Sequence, residues 1–208
     1  VAWRLPEDLY GLNRSARLNA RIAAGETVLN LQNTLRGITS RRGDATFGEI
    51  VPRSEAVSAP GFIVKRGEIA TVELGMEVKI LAKAMIKQID RVISDLTRQV
   101  EHFQQAGGNP VCVGIVGINS ADKYVSHEGD KAWPTDGRKH KHPVQEAAEA
   151  EVRLRLRAAP AFDEFIVLRF RATNEPPYSF AWLDQHQTEL DYGAVLTRVL
   201  RKYETRFV

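Results

Sequence analysis

Three consecutive segments near the middle of the chain leave few folds open. From Ile69 to Leu81 apolar and polar residues largely alternate, the period of a half-buried strand. From Ala82 to Ala106 the apolar positions Met85, Ile89, Val92, Ile93, Leu96, Val100 and Phe103 step by three and four until Gly107-Gly108-Asn109-Pro110 stops them, which predicts a long amphipathic helix. Val111 to Ile118 is almost wholly apolar and β-branched, as expected of a strand covered on both faces. Strand, helix and buried strand in that order make a crossover unit, and a crossover joins parallel strands. The chain is therefore expected to be α/β, with a mixed sheet flanked by helices.

Upstream, Phe47–Val51 and Phe62–Val64 are short apolar stretches, and with Ile69–Leu81 they read as antiparallel strands. Pro52, Ala59-Pro60-Gly61 and Lys65-Arg66-Gly67-Glu68 separate them as turns. From Asn13 to Arg36 the residues Ala16, Ile22, Leu29, Leu31 and Leu35 recur irregularly and Gly25 interrupts them, so one helix or two shorter ones are expected. Downstream, a polar stretch from Asn119 to Pro143 reads as a partner-facing loop. It is followed by a helix over Val144–Ala158, a buried strand over Phe165–Phe170 and an amphipathic helix over Leu190–Tyr203. Within the first of these helices, Glu149 and Arg153, and Glu151 and Arg155, are spaced for surface pairing.

A chain of 208 residues fits one domain; we read 1–208 as such, with a core over about 13–119 and an extension over 120–208. Hydrophobic residues at 43% and charged residues at 26% are ordinary for a globular protein. The net charge of +3 and sequence pI of about 9.1 permit a basic face without requiring one. Cys112 is the single cysteine, so no internal disulfide is possible and a reducing, cytoplasmic setting is expected. No secretory or membrane-spanning apolar segment is present in the sequence, so no membrane partner is expected. A first residue that is Val1 rather than Met is compatible with a longer parent protein.

Along the strand to Leu81, alternation sends Glu73, Gly75, Glu77 and Lys79 to one face and Val72, Leu74, Met76, Val78 and Ile80 to the other. A carboxylate and an ammonium side by side can hold a divalent cation and orient or activate water, an arrangement suited to phosphodiester cleavage. Glu-x-Lys alone is short enough to arise by chance, and it equally describes a surface ion pair.

Its setting is more telling. Glu77-Val78-Lys79 ends the third of three expected antiparallel strands and leads into the long helix. The pattern over 13–119, roughly half the chain, resembles the core of the PD-(D/E)XK nuclease superfamily, which includes most restriction endonucleases. That resemblance implies a restriction-endonuclease-like fold. It also implies a metal-dependent DNA endonuclease of restriction or phage-defence type, using Mg²⁺ with Mn²⁺ as a substitute; cutting both strands of a duplex takes two active sites, so a homodimer is expected, while an enzyme acting on single-stranded ends or RNA is equally compatible with the sequence. Glu77 would be a metal ligand, Lys79 a catalytic group, and the Val78 carbonyl a further ligand.

The departure from the family pattern lies upstream, where Pro60-Gly61 stands in place of the usual Pro-Asp, and glycine has no ligand to offer. A turn centred on Arg66-Gly67 would set Ser54–Ala56 opposite Glu77–Lys79, so Glu55 is expected as the replacement acid, with Glu49 and Asp44 behind it. The missing Asp also fits an inactive nuclease-fold module that binds nucleic acid or a protein partner. Glu26 is a further candidate metal ligand or simply part of a cap region. Gln88 on the long helix is a candidate catalytic residue near the phosphate. Lys83 and Lys87, and Arg138, Lys139 and Lys141 in the basic run Gly137–His142, are candidate contacts to DNA phosphates or solvated charges.

The histidines of that run lack standard zinc spacing. No Walker loop, dinucleotide fingerprint or Gly-x-Ser-x-Gly elbow occurs, so ATPase, dehydrogenase and esterase readings have no support. For assembly, the terminal helix over Leu190–Tyr203 is the expected dimer contact.

Overall fold

The computed structural model describes residues 1–30, 34–35, 38–39, 44–83, 85–105, 107–128, 130–138 and 141–207. The chain opens with a short 3₁₀ turn, Ala2–Arg4, and helix α1, Leu5–Gly11. Helix α2, Ala16–Ala24, starts at Ser15, whose hydroxyl accepts the Leu18 N–H, and ends at Gly25, which takes the left-handed conformation with φ 73°. Strand β1, Thr27–Asn30, follows at once. The helical segment expected over Asn13–Arg36 is thus a helix and a strand, because glycine ends the helix and the β-branched pair Thr27-Val28 opens a buried strand.

The remaining elements are β2 (Thr34–Leu35), β3 (Ile38–Thr39), β4 (Ala45–Glu49), β5 (Arg66–Gly67), β6 (Leu74–Leu81), α3 (Met85–Gln105) and β7 (Val111–Asn119). Then come β8 (Tyr124–Glu128), β9 (Lys131–Thr135), α4 (Pro143–Arg157), β10 (Glu164–Ala172), β11 (Phe180–Trp182) and α5 (Gln185–Arg206). Seven strands form one mixed sheet in the order β11-β10-β7-β6-β4-β1-β5. β1, β4 and β6 make an antiparallel meander; β6, β7 and β10 are parallel, and β11 closes one edge antiparallel to β10. The expected α/β architecture, a mixed sheet flanked by helices, is present.

The middle strands differ from the sequence reading. Phe62–Val64 is not a strand, and Arg66-Gly67 is not a hairpin turn but the short strand β5, parallel to β1. Between β4 and β6 the chain leaves the sheet, re-enters it only as β5, and is otherwise tied by isolated bridges, Ile50 to Ile69 and Val57 to Arg66. Pro52 and Pro60 cannot donate to a ladder, and Glu7 of α1 accepts the N–H groups of Ile63 at 3.0 Å and Val64 at 2.7 Å, taking donors a strand would need. The three meander strands are therefore β1, β4 and β6.

Two apolar layers sandwich the sheet. Leu74, Met76, Val113 and Ile115 pack with α1, α2 and α5, while Cys112, Val116 and Ile118 pack with α3 and α4. All seven apolar positions counted on α3 are buried in the second layer. Val195, Leu196, Val199, Leu200 and Tyr203 of α5 are buried in the first layer, the inward face that the amphipathic pattern of Leu190–Tyr203 predicts. Burial pushes the Cys112 thiol up to about 12, which keeps it an inert core residue.

Close approach of main chain fixes β4 against the return segment. A Cβ on Gly48 would sit 2.0 Å from the Thr71 carbonyl oxygen. Gly48→Ala is therefore expected to lower stability by on the order of 3 kcal/mol, read as a fall in the urea unfolding midpoint without a change in slope.

Candidate active site at the end of the central strand

β6 carries Glu77 and Lys79 into register with Gly114 and Val116 of β7, on the face covered by α3 and α4. Gly75 shares this face, since a Cβ there would strike the Phe103 ring of α3 at 2.4 Å. Glu73 does not. It precedes the regular strand, and its carboxylate takes both Arg21 guanidinium nitrogens, at 2.9 and 2.7 Å, and the Tyr203 hydroxyl at 2.5 Å. The alternation expected from Glu73 onward begins only at Leu74, because the backbone before it bends past Gly48. Glu73 is a satisfied structural acid tying α2 and α5 to the sheet.

Glu77 is only 3% exposed. Its Oε1 pairs with the Lys79 ammonium and its Oε2 accepts the Asp44 N–H at 3.3 Å. Asp44 answers in kind, its Oδ2 accepting the Val78 N–H at 2.7 Å. Each acid is thus held by the main chain of the strand that carries the other. The register explains it: Ala45 pairs with Met76, so the residue before β4 falls beside Glu77. Trp3 fixes the same corner, its indole N–H donating to the Asp44 carbonyl at 3.0 Å.

Burial raises the Glu77 carboxyl above the ordinary glutamate range; Lys79 opposes that rise and the Asp44 charge adds to it. A raised value means the folded chain keeps this proton to higher pH than the unfolded chain does. Stability contributed by the protonated form is then present below the ordinary glutamate value and lost as pH rises through the folded one. A divalent cation taking the same oxygens would compete with that proton, so its affinity would climb over that window. Titrating Mg²⁺ calorimetrically at steps between about pH 5 and pH 8 checks this, with Glu77→Gln expected to remove most binding and its pH dependence.

Glu55 is not at this site. It is exposed, lies between the Val51–Ser54 turn and the Val57–Arg66 bridge, and has no pairing with β6. The acid beside Glu77 is Asp44, not the expected Glu55. Glu26 lies past α2 and, with Glu49, Glu73, Arg17 and Arg21, lines a recess at the other end of β4. Five residues of strand separate the Glu49 and Asp44 ends, ~17 Å, so Glu26 and Glu49 cannot share a cation with Glu77.

Gln88 and Lys87 are exposed on the first turns of α3, and Lys83 is exposed just past β6. The Gln88 amide oxygen accepts from Arg91 at 3.4 Å. Arg138 pairs with Asp136 at 3.3 Å, and Lys141 pairs with Glu149; Lys139 lies outside the described residues. The polar stretch that holds them contains the hairpin β8–β9, and the expected pairs Glu149–Arg153 and Glu151–Arg155 form at 2.6 and 2.7 Å.

Among the described residues no three His, Cys, Asp or Glu side chains gather as a metal-holding group. The donor set at the strand end is two carboxylates and main chain, which suits a hard cation that keeps most of its water. Among the same residues no helix is long and apolar enough to cross a membrane. Comparisons with protein-family models, curated proteins and solved structures returned no match.

Proposed function

We propose that the chain is a metal-dependent DNA endonuclease of restriction or phage-defence type, with a PD-(D/E)XK-like core formed by α2, β1, β4, β6, α3 and β7. One observation carries this reading: Asp44 and Glu77 meet at the end of a central strand, with Lys79 against Glu77, where the chain turns into a long crossover helix. The order of a helix, an antiparallel meander, a helix and a parallel strand is what the resemblance requires.

Asp44, Glu77 and the Val78 carbonyl would hold Mg²⁺ or Mn²⁺, which supplies charge neutralisation at the scissile phosphate and acidifies bound water. Burial keeps Glu77 from being fully solvated, so its charge favours a cation over water. Lys79, one residue past Val78 and partly exposed, orients the attacking water and balances charge as the phosphate becomes five-coordinate. Asp44 is held in place by the Val78 N–H and by Trp3 through its own carbonyl. Cutting both strands of a duplex takes two such centres, so a homodimer is part of the proposal.

The inactive-module alternative rested on Gly61. That glycine has φ 75° in a turn and its carbonyl accepts Arg4 at 2.9 Å, whereas the acid beside Glu77 comes from the start of β4. Incubating the native protein with Mg²⁺ and, in turn, supercoiled plasmid, short duplex, single-stranded oligonucleotide and RNA tests the reading. Cleavage of the DNA forms that stops on chelation is expected; cleavage of RNA alone overturns the substrate assignment.

A further inference from the structure

Beside Asp44 the surface carries four side chains in alternating order, ring, cation, ring, cation. The Arg66 guanidinium lies 4.6 Å from the centre of the Trp3 ring and 4.8 Å from that of Phe62, and Arg4 lies 4.4 Å from the other end of the stack at Phe62. The members come from the 3₁₀ turn at the start of the chain and from the 60–66 segment, so something must hold them together. Glu7 clamps the Ile63 and Val64 N–H groups, Arg4 donates to Gly61, and Trp3 donates to Asp44.

The stack is not closed on itself. Trp3 remains 49% exposed although Arg66 covers one face of the ring, and the neighbouring Ile63 is 62% exposed. Among the described residues neither Arg4 nor Arg66 has a carboxylate partner. Two uncompensated guanidinium groups and an open indole face, one hydrogen bond from the Asp44 main chain, form a surface that attracts a polyanion with flat rings.

We propose that this ladder is a binding platform for a locally unpaired DNA strand, with a base stacking on Trp3 and phosphates taken by Arg66 and Arg4. An unpaired strand is chosen over intact duplex because only unpaired bases and helix ends offer their faces to a side chain. The inference rests on the nuclease reading for its setting, since it names the form in which DNA would enter that site. Its binding chemistry requires neither the cation nor Lys79.

The test is made in EDTA, so that cleavage plays no part. Trp3, Trp133 and Trp182 are the tryptophans of the chain, so the double variant Trp133→Phe/Trp182→Phe leaves Trp3 as the sole reporter. Adding a single-stranded thymidine oligonucleotide is expected to quench Trp3 fluorescence, saturating with the anisotropy of the labelled strand, and Arg66→Ala is expected to weaken binding roughly tenfold. If the double variant fails to fold, 5-fluorotryptophan in the native chain reads the same contact as a shift of the Trp3 resonance.

Binding that saturates while Trp3 is unperturbed overturns the proposal. So does absence of binding, or an equal response to a blunt hairpin of the same length. A chain that quenches on single strands but never cleaves with Mg²⁺ would leave the platform standing and remove the nuclease reading.

Discussion

Asp44→Asn is expected to reduce Mg²⁺-dependent cleavage by roughly 10²–10³-fold, while Glu55→Ala leaves it within about twofold. Asp44 exchanges main-chain hydrogen bonds with the Glu77-Val78 segment, so removing its charge takes away half of the carboxylate pair. An asparagine can still accept the Val78 N–H and its own N–H still meets Glu77, so folding should survive. Glu55 is exposed on a segment that never pairs with β6. Initial cleavage rates under saturating metal, with calorimetric Mg²⁺ binding for each variant, separate the two acids. Equal loss in both variants would mean that the strand register is not what selects the ligand.

Lys79→Ala is expected to lower turnover by on the order of 10³-fold while keeping cation affinity near native. The ammonium pairs with Glu77 but is not a ligand, and removing it exposes the buried carboxylate to less compensation, so Mg²⁺ binding should hold or tighten slightly. Lys79→Arg is expected to recover little, because a planar guanidinium cannot place its charge where a compact ammonium sits. The informative readout is the split between binding and rate. A variant that loses both together would mark Lys79 as a structural partner of Glu77 alone.

How far these residues could be read from the sequence depended on which periodicity carried them. The α3 stripe from Met85 to Phe103 and the apolar run of β7 were legible because a helix and a doubly covered strand leave unambiguous patterns, and Glu77 and Lys79 followed from their place between them. Thr27–Asn30 was hidden by its proximity to α2, and only the left-handed Gly25 marks the change. The acid partner was misplaced because Arg66-Gly67 resembles a turn, whereas Glu7 and the prolines steer 51–65 out of the sheet and Arg66-Gly67 re-enters it as β5 beside β1. Asp44 could have been found from one rule: in an antiparallel meander the start of one strand lies beside the end of the next. Trp3 carried no sequence signal, since its position depends on contacts about forty residues away in the chain.

The most direct measurement is cleavage of supercoiled plasmid by the native protein with Mg²⁺, beside Glu77→Gln and an EDTA control, after circular dichroism has shown both proteins folded. Conversion to nicked and linear DNA by the native protein alone, abolished by chelation, is the expected result. Plasmid that stays supercoiled with Mg²⁺ and with Mn²⁺, or that is cut equally by Glu77→Gln, would contradict the assignment of this site as a nuclease centre.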